Sequence, residues 1–139
     1  GPWDDELLTI EGKAVTLNDI EHRILRPIWR DHRLHFALNC ASIGCPNLSK
    51  TAYTSSNAQA LLQKAQSNYL NHPRGLSFVN NKLLLSSIFK WYQVDFSEDE
   101  KDLKAYLAAE LPQKAQRILS SNDSMAYDYD WDLNEQKSK

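Results

Sequence analysis

The chain has 139 residues, of which 42% are hydrophobic and 24% are charged, and this size and composition fit one domain with its own core. Its formal net charge is −2, and its 16 Lys and Arg residues are scattered along the chain. This argues against a nucleic-acid binder or an anionic-membrane binder, because both need a basic face. No apolar run approaches the roughly 18–20 residues of a membrane-spanning helix.

The first elements in chain order are a hairpin and a helix. Residues 7–15 predict two short strands, with Glu11-Gly12 at the turn between them. Apolar residues recur at helical spacing over 17–26, so we expect an amphipathic helix there. Thr16 is its expected N-cap, and Pro27 is expected to end it because the residue before a proline disfavours the helical conformation.

A short strand and a turn are predicted next, followed by the clearest helix in the sequence. The apolar run 34–38 predicts a strand that leads into a turn over 39–46, which is rich in Asn, Ser, Gly and Pro. Residues 57–71 have apolar side chains at helical spacing. Ser55 or Ser56 is the expected N-cap of that helix.

The second half of the chain predicts a hairpin, three helices and a final strand. These elements are a hairpin of 76–79 and 82–85 around Asn80-Asn81, helices over 87–92, 99–111 and 112–119, and an edge strand over 127–133. Helices and hairpins alternate irregularly, which indicates an α+β fold with several amphipathic helices on a small, mainly antiparallel sheet. We expect a single domain over 1–134 and a polar tail over 135–139.

Four motifs resemble one known family. They are Leu17-Asn-Asp-Ile-Glu-His-Arg-Ile-Leu-Arg-Pro27, Arg33 to Pro46, Ser86 to Phe96, and Tyr129-Asp-Trp-Asp-Leu-Asn134. In these motifs and their order, the chain resembles the C-terminal part of the domain of unknown function (DUF) 547 family. Members usually carry an upstream helical segment with a Trp-Asn-x-Tyr-Asn-like motif, so the resemblance implies that this segment is absent here or supplied by another chain. It also implies an extracytoplasmic, for example periplasmic, location, and it carries no activity and no catalytic residues.

The cysteine-bearing turn is the main candidate site. Cys40 follows the predicted strand and is a candidate thiol nucleophile, with His35 as the nearest base in the sequence. Asn39, Ser42 and the backbone amides of the turn are candidate donors to an oxyanion. Strand parity places His35 and Cys40 on opposite faces, so their pairing requires a bend at Asn39. Asp95 or Asp130 is a candidate for orienting an imidazole.

Two other interpretations of the same turn stay open. Cys40 and Cys45 are separated by four residues, so a disulfide that stiffens the turn, or a pair of packed structural thiols, is an alternative to catalysis. A zinc site of His32, His35 and the two cysteines is a third, but its spacing matches no specific zinc pattern, and we predict no metal and no cofactor.

A substrate-binding surface is predicted from Arg33, Trp91 and Tyr92. Arg33 precedes the turn and is suited to a carboxylate such as that of Asp95 or Asp130, or to an anionic substrate. The two aromatic rings either pack in the core or line a groove that stacks on a ligand. The sequence therefore leaves two functions open: a thiol-dependent hydrolase or acyl-transfer enzyme, and a non-catalytic binding or scaffold domain with an unknown partner.

Overall fold

The computed structural model describes residues 1–122 and 124–135, and it has the predicted α+β architecture. The helices are a π-helix at Asp19–Leu25, α1 at Arg26–Trp29, a 3-10 helix at His32–Phe36, α2 at Ala58–Asn71, α3 at Ile88–Trp91, α4 at Gln93–Phe96, α5 at Glu100–Glu110, a 3-10 helix at Pro112–Lys114 and α6 at Ala115–Leu119. The strands are β1 at Leu8–Ile10, β2 at Lys13–Val15, β3 at Leu76–Val79, β4 at Lys82–Ser86 and β5 at Ala126–Asp128.

Both predicted hairpins are confirmed. Strands β1 and β2 form a separate two-stranded antiparallel sheet, and β3 and β4 pair antiparallel in a three-stranded sheet of order β3-β4-β5. The turn residues Asn80 and Asn81 have φ values of 48° and 60°, a region that asparagine tolerates better than most residues. Strand β5 then pairs parallel to β4, because the chain returns to the sheet through the helices of the second half.

The long helices agree with their sequence patterns. Helix α2 falls within the predicted range 57–71, and α5 begins after Asp99, whose side chain accepts the Asp102 N–H at 2.9 Å. Thr16 and Asp19 each accept the other's backbone N–H, at 3.0 and 3.1 Å, so the predicted capping role of Thr16 is confirmed. The prediction of a serine cap for α2 is wrong, since the N-cap is Asn57.

The prediction that Pro27 ends its helix is also wrong. The backbone N–H of Arg26 bonds to the carbonyl of Glu21, a π-type bond, and α1 then runs from Arg26 through Pro27 to Trp29. Pro27 lies in the first turn of α1, where the bonding pattern changes from π to α. The N–H that Pro27 lacks therefore interrupts no regular series of helical hydrogen bonds at that point.

The strand predicted over 34–38 is a 3-10 helix, His32–Phe36. Asp31 caps it, because its carboxylate accepts the Arg33 N–H at 3.0 Å. A short apolar run does not by itself distinguish a strand from a buried helical turn. The correction matters for the site, since the strand-parity argument against His35 and Cys40 sharing one region no longer applies.

The core lies between the three-stranded sheet and the helices. Among its fully buried side chains are Phe36, Leu70, Phe89, Leu103 and Leu107. Of the strand predicted over 127–133, only the beginning pairs in the sheet, as β5. Residues 136–139 of the predicted polar tail lie outside the described residues. No helix in the described ranges is long and apolar enough to cross a membrane.

Candidate functional site

The cysteine turn, residues 39–46, is held by the segment that follows β5. The Ile43 N–H donates to the carbonyl of Asp132 and the Gly44 N–H to the carbonyl of Asp130, both at 2.8 Å. A Cβ on Gly44 would lie 2.9 Å from the backbone N and O of Asp130, so glycine permits this close approach. Two distant parts of the chain therefore build the site together.

Asn39 stabilises the turn from inside. Its side-chain amide donates to the carbonyl of Pro46 at 2.8 Å, and its side-chain oxygen accepts the N–H of Ala41 at 3.0 Å. Ala41 has a φ of 64°, a strained value for a residue with a Cβ, so the turn depends on such fixed hydrogen bonds. Both polar atoms of Asn39 are thus engaged within the turn.

The Cys40 sulfur lies among three groups that can donate hydrogen bonds to it. The Cys45 sulfur is 2.6 Å away, the Tyr129 hydroxyl oxygen 3.1 Å and the Ser42 hydroxyl oxygen 3.3 Å. The two hydroxyls are also linked to each other at 2.8 Å, and the Cys40 N–H donates to the Cys45 sulfur at 2.9 Å. Both cysteines are free thiols in this structure. The disulfide stays a prediction.

This cluster makes Cys40 the more acidic of the two thiols. Burial opposes its ionisation, but the hydrogen bonds from Cys45, Ser42 and Tyr129 outweigh burial and lower the pKa of Cys40 below the ordinary thiol value. Burial and the neighbouring Cys40 raise the pKa of Cys45 to about 12. The pKa of Tyr129 is likewise raised, by burial and then by Cys40. Cys45 and Tyr129 therefore stay protonated, and each can donate a hydrogen bond to a Cys40 thiolate.

His35 lies at the same site but bonds to a carboxylate. The Nε2 of His35 is 2.7 Å from Oδ2 of Asp95. The same Asp95 oxygen accepts a hydrogen bond from Nε of Arg26 at 2.6 Å. The imidazole ring of His35 also stacks on the ring of Tyr92, with centroids 4.1 Å apart. Of the two carboxylates that the sequence offers for orienting an imidazole, Asp95 is the one that contacts His35. In the described ranges, His35 makes no hydrogen bond to Cys40.

Burial lowers the pKa of His35, and this effect outweighs the opposing attraction of Asp95. Burial also opposes ionisation of Asp95, but its bonds from Arg26 and His35 hold its pKa below the usual value. An ionised Asp95 only accepts hydrogen bonds, so a neutral His35 carries its proton on Nε2 and has a lone pair on Nδ1.

A pocket of about 310 Å³ joins these groups. Cys40, His35 and Glu21 belong to its polar lining, and its lining also includes five aromatic residues, namely Trp3, Trp91, Tyr92, Tyr129 and Trp131. The rings of Trp91, Tyr129 and Trp131 lie together, with centroids 4.7 to 5.3 Å apart. Trp91 and Tyr92, which the sequence proposed as either core or groove, therefore line a groove beside Cys40.

Arg33 lies outside this pocket lining. Its guanidinium bonds to Asp31 and to the side chain of Gln59, each at 2.6 Å, and the arginine that pairs with Asp95 is Arg26. Within the part of the chain that the structure describes, no group of three or more His, Cys, Asp and Glu side chains forms a possible metal site.

Several site residues were missed at the level of sequence. These residues are Glu21, Trp3, Tyr129 and Trp131, which all line the pocket. The alternation of aromatic and acidic residues over 127–131 was a usable signal, because it places Tyr129 and Trp131 on one face of an extended segment. The prediction drawn from this alternation was only the edge strand over 127–133. Glu21 had no such signal.

A comparison with models of protein families gives a match over the first half of the chain. The family model described as "Protein of unknown function, DUF547" matches residues 2–70, a range that includes the cysteine turn, His35 and Glu21. No curated protein and no solved structure matches the chain.

Proposed function

We propose, from the site itself, that the chain is a thiol-dependent hydrolase or acyl-transfer enzyme with Cys40 as the nucleophile. Residues 2–70 match the DUF547 family model, and the description of that family assigns no function. The observation that carries this proposal is the environment of the Cys40 sulfur, which lies at a pocket and has three hydrogen-bonding groups around it. A thiolate is the reactive form of cysteine, and these hydrogen bonds lower the pKa of Cys40 below the ordinary thiol value.

In the proposed reaction, the Cys40 thiolate attacks the carbonyl carbon of an ester or amide. A thioester forms, and the bond to the leaving alcohol or amine breaks as that group takes up a proton from solvent, to which His35 returns a proton after the second step. Water or an acceptor amine then cleaves the thioester and restores the thiolate. His35 accepts the proton of that second nucleophile at Nδ1, while Asp95 holds the ring through Nε2.

The oxyanion of this reaction needs donors other than Asn39, whose side chain is engaged within the turn. The hydroxyls of Ser42 and Tyr129 are the nearest candidates, since both already contact the sulfur that attacks. This assignment makes Tyr129 a residue that both stabilises the thiolate and contacts the reacting group.

The proposal is tested with the full chain and a chromogenic activated ester such as p-nitrophenyl acetate. We expect an acylation burst and the acyl group on Cys40, identified by peptide mass. The Cys40→Ser variant loses the burst, while Cys45→Ser, which removes the neighbouring thiol, keeps Cys40 as the modified residue. A wild-type protein that acylates no faster than a model thiol contradicts the proposal.

A second candidate function is a non-catalytic binding domain. It is favoured by the fact that, in the described ranges, the hydrogen bonds of the Cys40 sulfur reach other thiols and hydroxyls and no imidazole. In that case Cys40 and Cys45 stiffen the turn, and the aromatic pocket alone binds a ligand. The burst experiment separates the two functions, because a binding domain gives no acyl-Cys40.

We also propose an extracytoplasmic location, which the family resemblance supports. Fractionation of cells that produce the protein from its natural gene tests it directly. Recovery in the cytoplasmic fraction contradicts this location and leaves the proposed chemistry of Cys40 unaffected.

A further inference from the structure

Glu21 is a buried carboxylate in the wall of the pocket. It belongs to the π-helix, and only 6% of its surface is exposed. A carboxylate removed from water is costly unless an opposite charge or several donors compensate it. Its surroundings therefore indicate what the pocket is suited to bind.

The basic groups near Glu21 do not neutralise it. Among the described residues, the one basic group within 4.0 Å of its carboxylate is Nδ1 of His35, and burial keeps that imidazole neutral. Arg26 forms its ion pair with Asp95 at 2.6 Å, so its charge is already matched. Glu21 is thus a buried carboxylate in the pocket lining, and none of the described basic groups forms an ion pair that matches its charge.

The remaining wall of the pocket is aromatic. Trp91 and Trp131 have 47% and 69% of their surface exposed, and together with Tyr129 they form the three-ring group beside Cys40. The faces of such rings carry partial negative charge and attract organic cations, as aromatic cages for quaternary ammonium groups do. Large exposed rings at a pocket also favour ligand contact over core packing.

From these two features we propose that the pocket binds a small organic cation, whose ammonium group contacts the Glu21 carboxylate and the rings of Trp91 and Trp131. The volume of about 310 Å³ is sufficient for a molecule of that size. The inference that such a cation is the substrate rests on the function proposed for Cys40. The binding of the cation can be measured independently of that function.

Titration calorimetry of the full chain with choline tests this inference. Its uncharged analogue 3,3-dimethyl-1-butanol has nearly the same shape, and n-butylammonium distinguishes a primary from a quaternary ammonium. We expect choline or n-butylammonium to bind at least about tenfold more tightly than the uncharged analogue. Equal affinities, or no saturable heat with either cation, would overturn the inference.

Variants separate Glu21 from other charges. Glu21→Gln should weaken the binding of the cation roughly tenfold or more, and Glu98→Gln, the same change at an exposed position, should leave it unchanged. If circular dichroism shows that Glu21→Gln is unfolded, Trp131→Leu on the exposed ring replaces it and should also weaken binding. Unchanged affinity in the folded variant contradicts the inference.

The Cys40→Ser variant distinguishes this inference from the proposed function. Cation binding that persists in Cys40→Ser, together with an unreactive wild-type thiol, supports the cation site and rejects thiol catalysis. If Cys40 is reactive but the protein binds the cation and its uncharged analogue equally, thiol catalysis is supported and the cation site is rejected. Loss of cation binding in Cys40→Ser overturns the assignment to Glu21 and assigns the attraction to the thiolate.

Discussion

The Tyr129 hydroxyl gives the sharpest test of the thiolate at Cys40. It lies 3.1 Å from the sulfur and 2.8 Å from the Ser42 hydroxyl, and it keeps its proton because its own pKa is raised. Tyr129→Phe removes this donor and retains the ring, so the packing against Trp91 and Trp131 is preserved. We expect a smaller population of thiolate at neutral pH, and hence slower alkylation of Cys40.

The size of this effect follows from the energy of the lost hydrogen bond. A hydrogen bond to a charged group contributes about 1.5–3 kcal/mol, and about 1.4 kcal/mol corresponds to a factor of ten in population. The thiolate population therefore falls by roughly tenfold to a hundredfold. The thiolate of the variant is more basic and therefore more nucleophilic. On a logarithmic scale, this gain offsets about half of the loss in thiolate population, so the alkylation rate falls by roughly three- to tenfold.

The assay is the rate of iodoacetamide labelling of Cys40 against pH, read by peptide mass. Tyr127→Phe is the matched control, because the Tyr127 hydroxyl bonds to Glu100 at 3.2 Å and not to the sulfur. The wild type should reach half of its maximal rate at a lower pH than a model thiol does, since the pKa of Cys40 is lowered. Identical pH profiles for Tyr129→Phe and Tyr127→Phe would refute the account of the Cys40 environment.

Three further predictions concern the thiols, the ion pair at the site and the core. Intact mass after alkylation without a reductant should show both Cys40 and Cys45 modified once the protein is denatured, whereas a bridge between them would leave the mass unchanged until reduction. The stability that Asp95 contributes should be present above its unfolded pKa of about 3.8 and disappear as the pH falls through its lower folded pKa. The difference in Tm between wild type and Asp95→Asn should therefore shrink in acid, and a constant difference contradicts the ion pair. Leu107→Ala should cost about 2–5 kcal/mol in urea unfolding because its side chain is fully buried, while Leu119→Ala, at a position with 60% exposure, should cost under about 0.5 kcal/mol.

Local patterns in the sequence determined the elements whose stabilising contacts are also local. Asn80-Asn81 sets the β3–β4 turn through its own backbone preference, and the spacing of apolar residues sets α2 and α5. The cysteine turn was also recognisable as a candidate site, because Cys40 and its turn-forming neighbours are contiguous in the chain. Such features require no knowledge of distant residues.

The tertiary structure decided what the cysteine turn contacts. The turn is separated from Tyr129 by more than eighty positions, and only the parallel pairing of β5 with β4 brings that tyrosine to the Cys40 sulfur. His35 was assigned to the wrong element because its apolar neighbours fit a strand and a buried 3-10 helix equally well. Glu21 shows the same limit. Its sequence position on an amphipathic helix suggests a solvated carboxylate, and only the packing of the pocket around it removes that carboxylate from water.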